Sequence, residues 1–147
     1  MLIDYSETLK YSPEVIWKAL LDPKVLSRLL PGIEKFDETS PDKYSVTAKL
    51  GLPSVRGVYF GTVEIFDKKK PSSYKLRCEG KGTQGWAKGD VVITLTPGDG
   101  ETKVNAKAQA AVGGTIAGVG QRMMEGITKS MAREFFTALD AELAGSK

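Results

Sequence analysis

Residues 115 to about 143, near the C-terminus, contain no proline, and their apolar side chains recur at steps of three and four residues. This spacing places the apolar residues on one face of a single long helix. The face is formed by Ile116, Val119, Met123, Ile127 and Met131. The opposite face, which we expect to be exposed to water, carries Arg122, Lys129, Arg133 and Asp140. One helix cannot bury its apolar face alone, so we expect the preceding chain to form the surface on which it packs.

Between residues 33 and 112 the chain alternates apolar and polar side chains, and turn residues interrupt the alternation at intervals of about ten residues. Alternation with a period of two predicts strands with one buried face, and short connections without helices predict antiparallel pairing. The same alternation occurs near the N-terminus. The predicted strands cover residues 3–11, 33–38, 44–50, 59–66, 74–79, 87–95 and 104–112.

Two short helices are expected between the first two strands. Ser12 precedes Pro13, and Asp22 precedes Pro23, so each pair combines a helix-capping residue with a proline at the first helical position. The second helix should end near residue 30. The order of elements predicts an α+β fold in which a curved antiparallel sheet of about seven strands wraps around the C-terminal helix. We expect one domain over residues 1–147.

The composition excludes several classes of function. The chain has no histidine, which removes Ser-His-Asp and Cys-His nucleophiles and every histidine metal site. Any catalysis would rely on carboxylates, lysines, tyrosines or water, and we expect no metal and no cofactor. The net charge of +3 is too small to indicate nucleic-acid binding. The single cysteine and the lack of a signal peptide or an apolar run of about 20 residues favour a cytoplasmic protein.

Small side chains occupy the inward positions of two neighbouring strands. They are Gly85, Ala87 and Gly89 on one strand and Ala106, Ala108 and Ala110 on the next. One interpretation is that the helix packs closer to the sheet there, with its flexible methionines filling the gaps. The other is an apolar cavity between sheet and helix. The residues predicted to line this cavity are Tyr59, Tyr74, Leu76, Ala87, Ala106, Ala108, Val119, Met123, Ile127 and Met131.

Four other residues are notable for the direction in which the alternation points them. Phe60 and Trp86 fall on outward positions, which indicates a partner or dimer contact unless the register is shifted by one residue. Glu7 falls on an inward position, either as an acid that orients a ligand or as an edge residue near solvent. Cys78 also points inward and should be an inert core residue.

Glycines 118, 120 and 126 interrupt the predicted C-terminal helix, where each costs about 1 kcal/mol relative to alanine. The Gly118-Val119-Gly120 segment is not a dinucleotide-binding fingerprint, because that motif belongs to a parallel strand-helix-strand unit. Either these glycines let the helix approach the sheet, or they loosen a gate at the mouth of the cavity.

Several motifs resemble the family of the carbon monoxide dehydrogenase G subunit, over residues from about 5 to 143. They are Val15-Ile16-Trp17-x-x-Leu20-x-Asp22-Pro23, Leu29-Leu30-Pro31-Gly32, Tyr59-x-Gly61-x-Val63-x-Ile65, residues 91–97, and Val112-Gly113-Gly114 followed by Gly120. The tryptophan with the Asp-Pro pair is similar to the wider START-like, helix-grip superfamily. The Leu-Pro-Gly and Val-Gly-Gly motifs are more particular to the G-subunit family.

The resemblance implies a helix-grip fold with an internal hydrophobic cavity that binds an apolar ligand, a quinone or a lipid. It further implies an accessory protein that links a molybdenum-containing dehydrogenase to the membrane or to its quinone pool. Some relatives extend into a hydrophobic tail, whereas this sequence stops at Lys147. We therefore expect a carrier or an adaptor that touches the inner face of the membrane peripherally. The sequence does not decide between a monomer and a dimer.

Three functions remain open at this stage. The first is a non-enzymatic carrier with an apolar cavity. The second is a helix-grip enzyme similar to polyketide cyclases and dehydratases, which would need two or more acid, tyrosine or asparagine side chains converging in the cavity. The third is an interaction module whose helix packs tightly and leaves no cavity. The polar content of the interior distinguishes the first two.

Overall fold

The computed structural model describes residues 1–52 and 55–145. Lys147, at which the sequence stops, lies outside the described residues. The strands are β1 (Leu2–Leu9), β2 (Ile33–Ser40), β3 (Lys43–Leu50), β4 (Gly57–Lys69), β5 (Ser73–Gly82), β6 (Gly85–Gly98) and β7 (Glu101–Gly113). The α-helices are α1 (Pro13–Leu20), α2 (Pro23–Leu29) and α3 (Gln121–Gly145). A 3-10 helix, Thr115–Val119, lies between β7 and α3.

Within the described residues, all seven strands form one antiparallel sheet in the order β1-β7-β6-β5-β4-β3-β2. Consecutive strands from β2 to β7 are neighbours, and β1 pairs with the last strand. The register places inward residues opposite one another, as in the row Ile65, Leu76 and Val91 across β4, β5 and β6. The predicted helix-grip fold class is therefore confirmed.

The caps of the two short helices are also as predicted. The Asp22 carboxylate accepts a hydrogen bond of 2.9 Å from the backbone N–H of Lys24. The Ser12 hydroxyl accepts a longer one, 3.4 Å, from the N–H of Val15. Each of these bonds satisfies a donor that the first turn of a helix leaves free.

The prediction of one continuous helix from residue 115 is wrong at its start. The segment begins with the 3-10 helix, and α3 begins only at Gln121. Gly120, between them, has a φ of +95°, a conformation that glycine adopts and that ends a right-handed helix. Because a 3-10 helix has about three residues per turn, the break also resets the direction in which the later side chains point.

The packed core lies at the end of the sheet that is covered by α1, α2 and the second half of α3. Its most enclosed apolar side chains are Ile16 of α1, Val104 of β7 and Leu139 of α3, each with no exposed surface. The charged side of α3 is exposed as predicted at Arg122, Lys129, Arg133 and Asp140. Because apolar side chains fill this end of the molecule, a ligand-binding site is expected at the opposite end.

Candidate functional site

The candidate site lies towards the opposite end of the inner sheet face, called the mouth end. It is formed by the β3–β4 connection, the β5–β6 turn and the 3-10 helix. The inner face of the sheet is nearly bare there. Gly61, Gly80 and Ala87 lie opposite one another across β4, β5 and β6, and Cys78, Gly89 and Ala110 form the next row across β5, β6 and β7.

Not every glycine in these rows leaves space for a ligand. A Cβ atom at Gly61 would collide with the carbonyl oxygen of Glu79, so glycine is required there by the close approach of β5. At Gly80, by contrast, the nearest atom to an added Cβ is 3.8 Å away. The lack of side chains thus has two causes, and only Gly80 and the alanines leave room.

Two further buried residues lie at the mouth end, Val55 in the β3–β4 connection and Ile116 in the 3-10 helix. Val55 and Ile116 are each only 4% exposed, yet neither belongs to the packed core. Between this group and the core, the inner residues of β5 to β7 and of α3 are only half-buried, although α3 lies on this face of the sheet. They are Leu76, Cys78, Ala106, Ala108, Ala110, Met124, Ile127 and Met131. Their partial exposure means that α3 does not cover this part of the inner sheet face completely.

Most of the residues predicted to line a cavity are half-buried in this incompletely covered region. Leu76, Ala106, Ala108, Val119, Ile127 and Met131 are half-buried on the sheet or helix, and Tyr59 is half-buried at the start of β4. Tyr74 does not border this region. It is 3% exposed, its ring meets that of Trp17 edge-on with centroids 5.4 Å apart, and burial raises its pKa.

Two predicted lining residues are exposed instead. Ala87 is exposed, because its neighbour on β5 is Gly80, which has no side chain to cover it. Met123 is 53% exposed, because the break at Gly120 turns it away from the sheet. The half-buried Met124 takes its place, and no pattern in the sequence distinguishes these two neighbouring methionines.

A cleft of about 320 Å³ lies beside this region at the edge of the sheet. It lies where β7 extends beyond the start of β1, whose pairing ends with reciprocal hydrogen bonds of 2.8 Å between Met1 and Ala110. Its walls come from strand, 3-10 helix and α3, and are formed by Met1, Ala110, Ala111, Val112, Ala117, Gly120, Gln121 and Met124.

The three glycines that interrupt the C-terminal segment do not serve close packing. No atom lies within 4 Å of a Cβ added at Gly118, Gly120 or Gly126. The hypothesis that they bring the helix closer to the sheet is therefore wrong. Gly120 is explained by its positive φ, whereas neither backbone conformation nor crowding requires glycine at 118.

The interior offers few polar groups. The Tyr59 hydroxyl donates a 2.7 Å hydrogen bond to the carbonyl of Val55, and burial raises the pKa of this tyrosine. Burial, with a smaller contribution from the Asp90 charge, raises the pKa of the Cys78 thiol to about 11. Within the described residues, every buried side-chain nitrogen or oxygen has a partner, and no three carboxylate or cysteine groups converge to hold a metal.

Glu7 lies at the edge of the sheet rather than in the incompletely covered region. It is half-buried and accepts a 2.9 Å hydrogen bond from the hydroxyl of Tyr5. The pKa of Tyr5 is raised by burial and by the Glu7 carboxylate, and Arg133 acts in the opposite direction. The arrangement agrees with the interpretation of Glu7 as an edge residue near solvent.

The outer face of the mouth end carries exposed aromatic side chains, as predicted. Phe60 is 59% and Trp86 42% exposed, and both lie beside Lys81, which pairs with Phe60 on one side and Trp86 on the other. The ammonium group of Lys88 lies 5.7 Å from the centre of the Trp86 ring. The outward register of both aromatic residues is confirmed.

The mouth end is also positively charged. The chain segments at this end, residues 48–61, 80–89 and 110–124, contain no aspartate or glutamate, and Glu79 lies beside them on the outer face, opposite Lys88. Exposed basic residues in these segments near the mouth are Lys49, Arg56, Lys81, Lys88 and Arg122. In the part of the chain that the structure describes, no helix is both long and apolar enough to cross a membrane.

An antiparallel sheet folded over a long C-terminal helix, which leaves part of the inner sheet face uncovered, defines a START-like, helix-grip protein. A START superfamily protein from Mycobacterium smegmatis has the same fold, with a TM-score of 0.78 and 10% identity over 99% of both chains. A protein from Thermus thermophilus gives a TM-score of 0.74 at 10% identity, over 100% of this chain and 99% of that one. At such low identity the likeness shows the fold alone.

Within this class, the chain belongs to the CoxG family, that of the carbon monoxide dehydrogenase G subunit, whose sequence profile matches residues 6–144. A conserved protein from Geobacillus kaustophilus, with a known crystal structure, is 35% identical to it. That match covers 99% of this chain and 97% of the other, with a TM-score of 0.97. A comparison with curated proteins gives no match.

Proposed function

We propose that this protein is a non-enzymatic carrier that binds an apolar molecule, a quinone or a lipid, between the sheet and α3. The observation that supports this most directly is the half-buried, apolar lining between the packed core and the Val55–Ile116 group. Burying an apolar ligand there would remove the apolar surfaces of the ligand and of the lining residues from water. This stabilises the complex by about 25 cal/mol for each Å² of apolar surface buried. The whole described chain would act as one binding domain.

The lack of converging polar groups supports a carrier rather than an enzyme. The inward tyrosine–carboxylate pairs are Tyr5 with Glu7 and Tyr44 with Glu38. The first pair lies at the β1 edge of the sheet and the second at the β2–β3 edge, so the two cannot act on one substrate. A cyclase or dehydratase of this fold would need such groups to meet around the ligand.

Membership of the CoxG family supports a role beside a molybdenum-containing carbon monoxide dehydrogenase or a related hydroxylase. In this proposal the protein works in the cytoplasm and carries a ligand between that enzyme and the quinone pool of the membrane. The basic, aromatic mouth end would lie against the inner membrane surface, since anionic lipids attract lysine and arginine, and tryptophan is enriched at membrane interfaces.

Native mass spectrometry of the purified protein tests the carrier, before and after incubation with menaquinone and with phospholipid. We expect a one-to-one adduct with at least one of them. Ala108→Phe fills the space, because Ala108 lies on the inner face opposite Ile3 and Val91, and should abolish the adduct. Thr96→Phe, at an exposed position of β6, is the control and should retain it.

The stability of Ala108→Phe provides a second measurement. If the space exists, the larger side chain enters it and the melting temperature changes little. If sheet and helix pack tightly, overpacking should cost about 1–3 kcal/mol. A lack of adducts with the wild type, together with a large destabilisation of Ala108→Phe, would contradict the carrier and favour the interaction module.

A further inference from the structure

The segment between β7 and α3 is bounded by two glycines in conformations that other residues rarely adopt. Gly114 has a φ of +78° and Gly120 a φ of +95°. Between them, the 3-10 helix Thr115–Val119 contains a further glycine, Gly118, whose surroundings are empty. At Gly114 an added Cβ would also lie 2.6 Å from the Cα of Gly85, so packing as well as φ requires glycine there, whereas neither requires it at Gly118. The segment thus has a glycine with positive φ at each end and an unconstrained glycine in the middle.

Few contacts hold this segment in place. Thr115, Ala117 and Gly118 are exposed, Val119 is half-buried, and only Ile116 is buried. The N–H of Ile116 donates a 2.9 Å hydrogen bond to the carbonyl of Gln84, and the Ile116 side chain lies against Gly85. Ile116 is therefore the one buried side chain of the segment, and with the backbone contact of Gly114 on Gly85 it attaches the segment to the sheet, so local opening should cost little compared with global unfolding.

The segment also lies directly beside the route into the proposed binding space. Ala117 and Gly120 form one wall of the cleft of about 320 Å³ at the sheet edge. Ala110 and Met124, in the opposite walls, also border the proposed binding space. Movement of the segment would therefore widen the cleft where it borders that space.

We propose that residues Thr115–Val119 form a hinged flap, with Gly114 and Gly120 as hinges, and that an apolar ligand enters and leaves beneath it. This inference rests on the proposed carrier function, since a flap without a ligand to admit has no role. It predicts that restraining the flap slows exchange of the ligand and leaves its equilibrium affinity nearly unchanged, because entry and exit are slowed together.

Two alanine variants test the flap with a matched control. Gly118→Ala restricts the flap without a clash, and should slow dissociation of the neutral fluorescent probe diphenylhexatriene about two- to fivefold. Gly126→Ala makes the same change inside α3, also without a clash, and should leave the rate unchanged. Equal rates in Gly118→Ala and the wild type would contradict the flap.

A reversible cross-link gives a stronger restraint. In a Cys78→Ala background, Gln84→Cys with Ile116→Cys joins the two residues that share the backbone hydrogen bond. Oxidation should slow probe dissociation at least about thirtyfold, and a reductant should reverse the effect. The control is Thr8→Cys with Lys103→Cys, which are opposite each other on the exposed face of β1 and β7, and its oxidation should not change the rate. Unchanged dissociation in the oxidised flap variant would overturn the proposal.

Hydrogen exchange separates failure of the flap from failure of the carrier. Without ligand, the amides of Ile116 and Ala117 should exchange at least about tenfold faster than the paired amides of β6 and β7, through local opening. If the probe fails to bind, the carrier is contradicted and no access route is needed. If the probe binds and these two amides are as protected as the sheet, the carrier stands and the flap is contradicted.

Discussion

The hydroxyl of Tyr59 donates a 2.7 Å hydrogen bond to the backbone carbonyl of Val55, and Val55 is one of two buried residues at the mouth end. The bond ties the β3–β4 connection to the start of β4. It also engages the hydroxyl of a residue that was predicted to line the cavity. Tyr59 therefore acts in the structure as a support of the mouth.

We predict that Tyr59→Phe lowers the free energy of unfolding by about 1 kcal/mol, since it removes one hydrogen bond and leaves a buried carbonyl without its partner. Denaturant unfolding followed by tryptophan fluorescence measures the change. Tyr44→Phe is the comparison, because its hydroxyl makes a longer bond of 3.4 Å to Glu38 and should cost less. A Tyr59→Phe protein as stable as the wild type would show that this bond does not support the mouth.

Alternation in the strands allowed the sheet face of each side chain to be predicted from the sequence. Phe60 and Trp86 are exposed, and Leu76 and Ala108 are inward, because a period of two leaves only the register to be decided. The caps at Ser12 and Asp22 were equally predictable, since serine or aspartate before proline has a direct physical reason to begin a helix.

The start of α3 and the residues it turns inward could not be predicted in this way. A glycine in a helical pattern is compatible with a continuous helix, and only the observed φ of Gly120 shows the break. The break decides that Met124, and not Met123, faces the sheet. Likewise, the sequence cannot show whether Gly61 leaves space or accommodates the backbone of its neighbour.

The glycines around α3 give a second prediction. Gly120→Ala should destabilise the protein by about 1–3 kcal/mol, because its φ of +95° is strained for any residue with a Cβ, even though the space around it is empty. Gly126→Ala should stabilise it by up to about 1 kcal/mol, because the position is helical and unobstructed. Thermal unfolding of both variants measures the effects. A Gly120→Ala protein more stable than the wild type would indicate a continuous helix.

The raised pKa of the Cys78 thiol should make the free energy of unfolding depend on pH. Burial raises this pKa from 9.0 to about 11, so the folded state favours the protonated thiol. The stabilisation from this group is complete below pH 9 and is lost as the pH rises towards 11, because the unfolded chain releases the proton first. The wild type should lose about 2–3 kcal/mol relative to Cys78→Ala across this range.

Denaturant unfolding of the wild type and Cys78→Ala, at intervals from about pH 8 to pH 11, measures this difference. Lysines and tyrosines that titrate in the same range are present in both proteins and cancel in the comparison. If the free energies of unfolding of the two proteins differ by the same amount at every pH, water reaches the thiol freely in the folded state.

The charge of the mouth end gives the last prediction, which concerns the proposed membrane contact. Lys81 lies between Phe60 and Trp86 on the outer face, where the neighbouring acidic residue is Glu79, so Lys81→Glu places a second negative charge at the centre of the proposed contact. With anionic lipid vesicles, each basic residue near the surface contributes about 1 kcal/mol, and the reversal should weaken binding by roughly tenfold or more. Lys103→Glu makes the same change near the β6–β7 turn, at the other end of the sheet, and should have a much smaller effect.

Sedimentation with phosphatidylglycerol vesicles measures binding, and phosphatidylcholine vesicles give the uncharged reference. Equal losses for the two variants would show that binding depends on net charge alone, and no binding by the wild type would exclude this surface as a membrane contact.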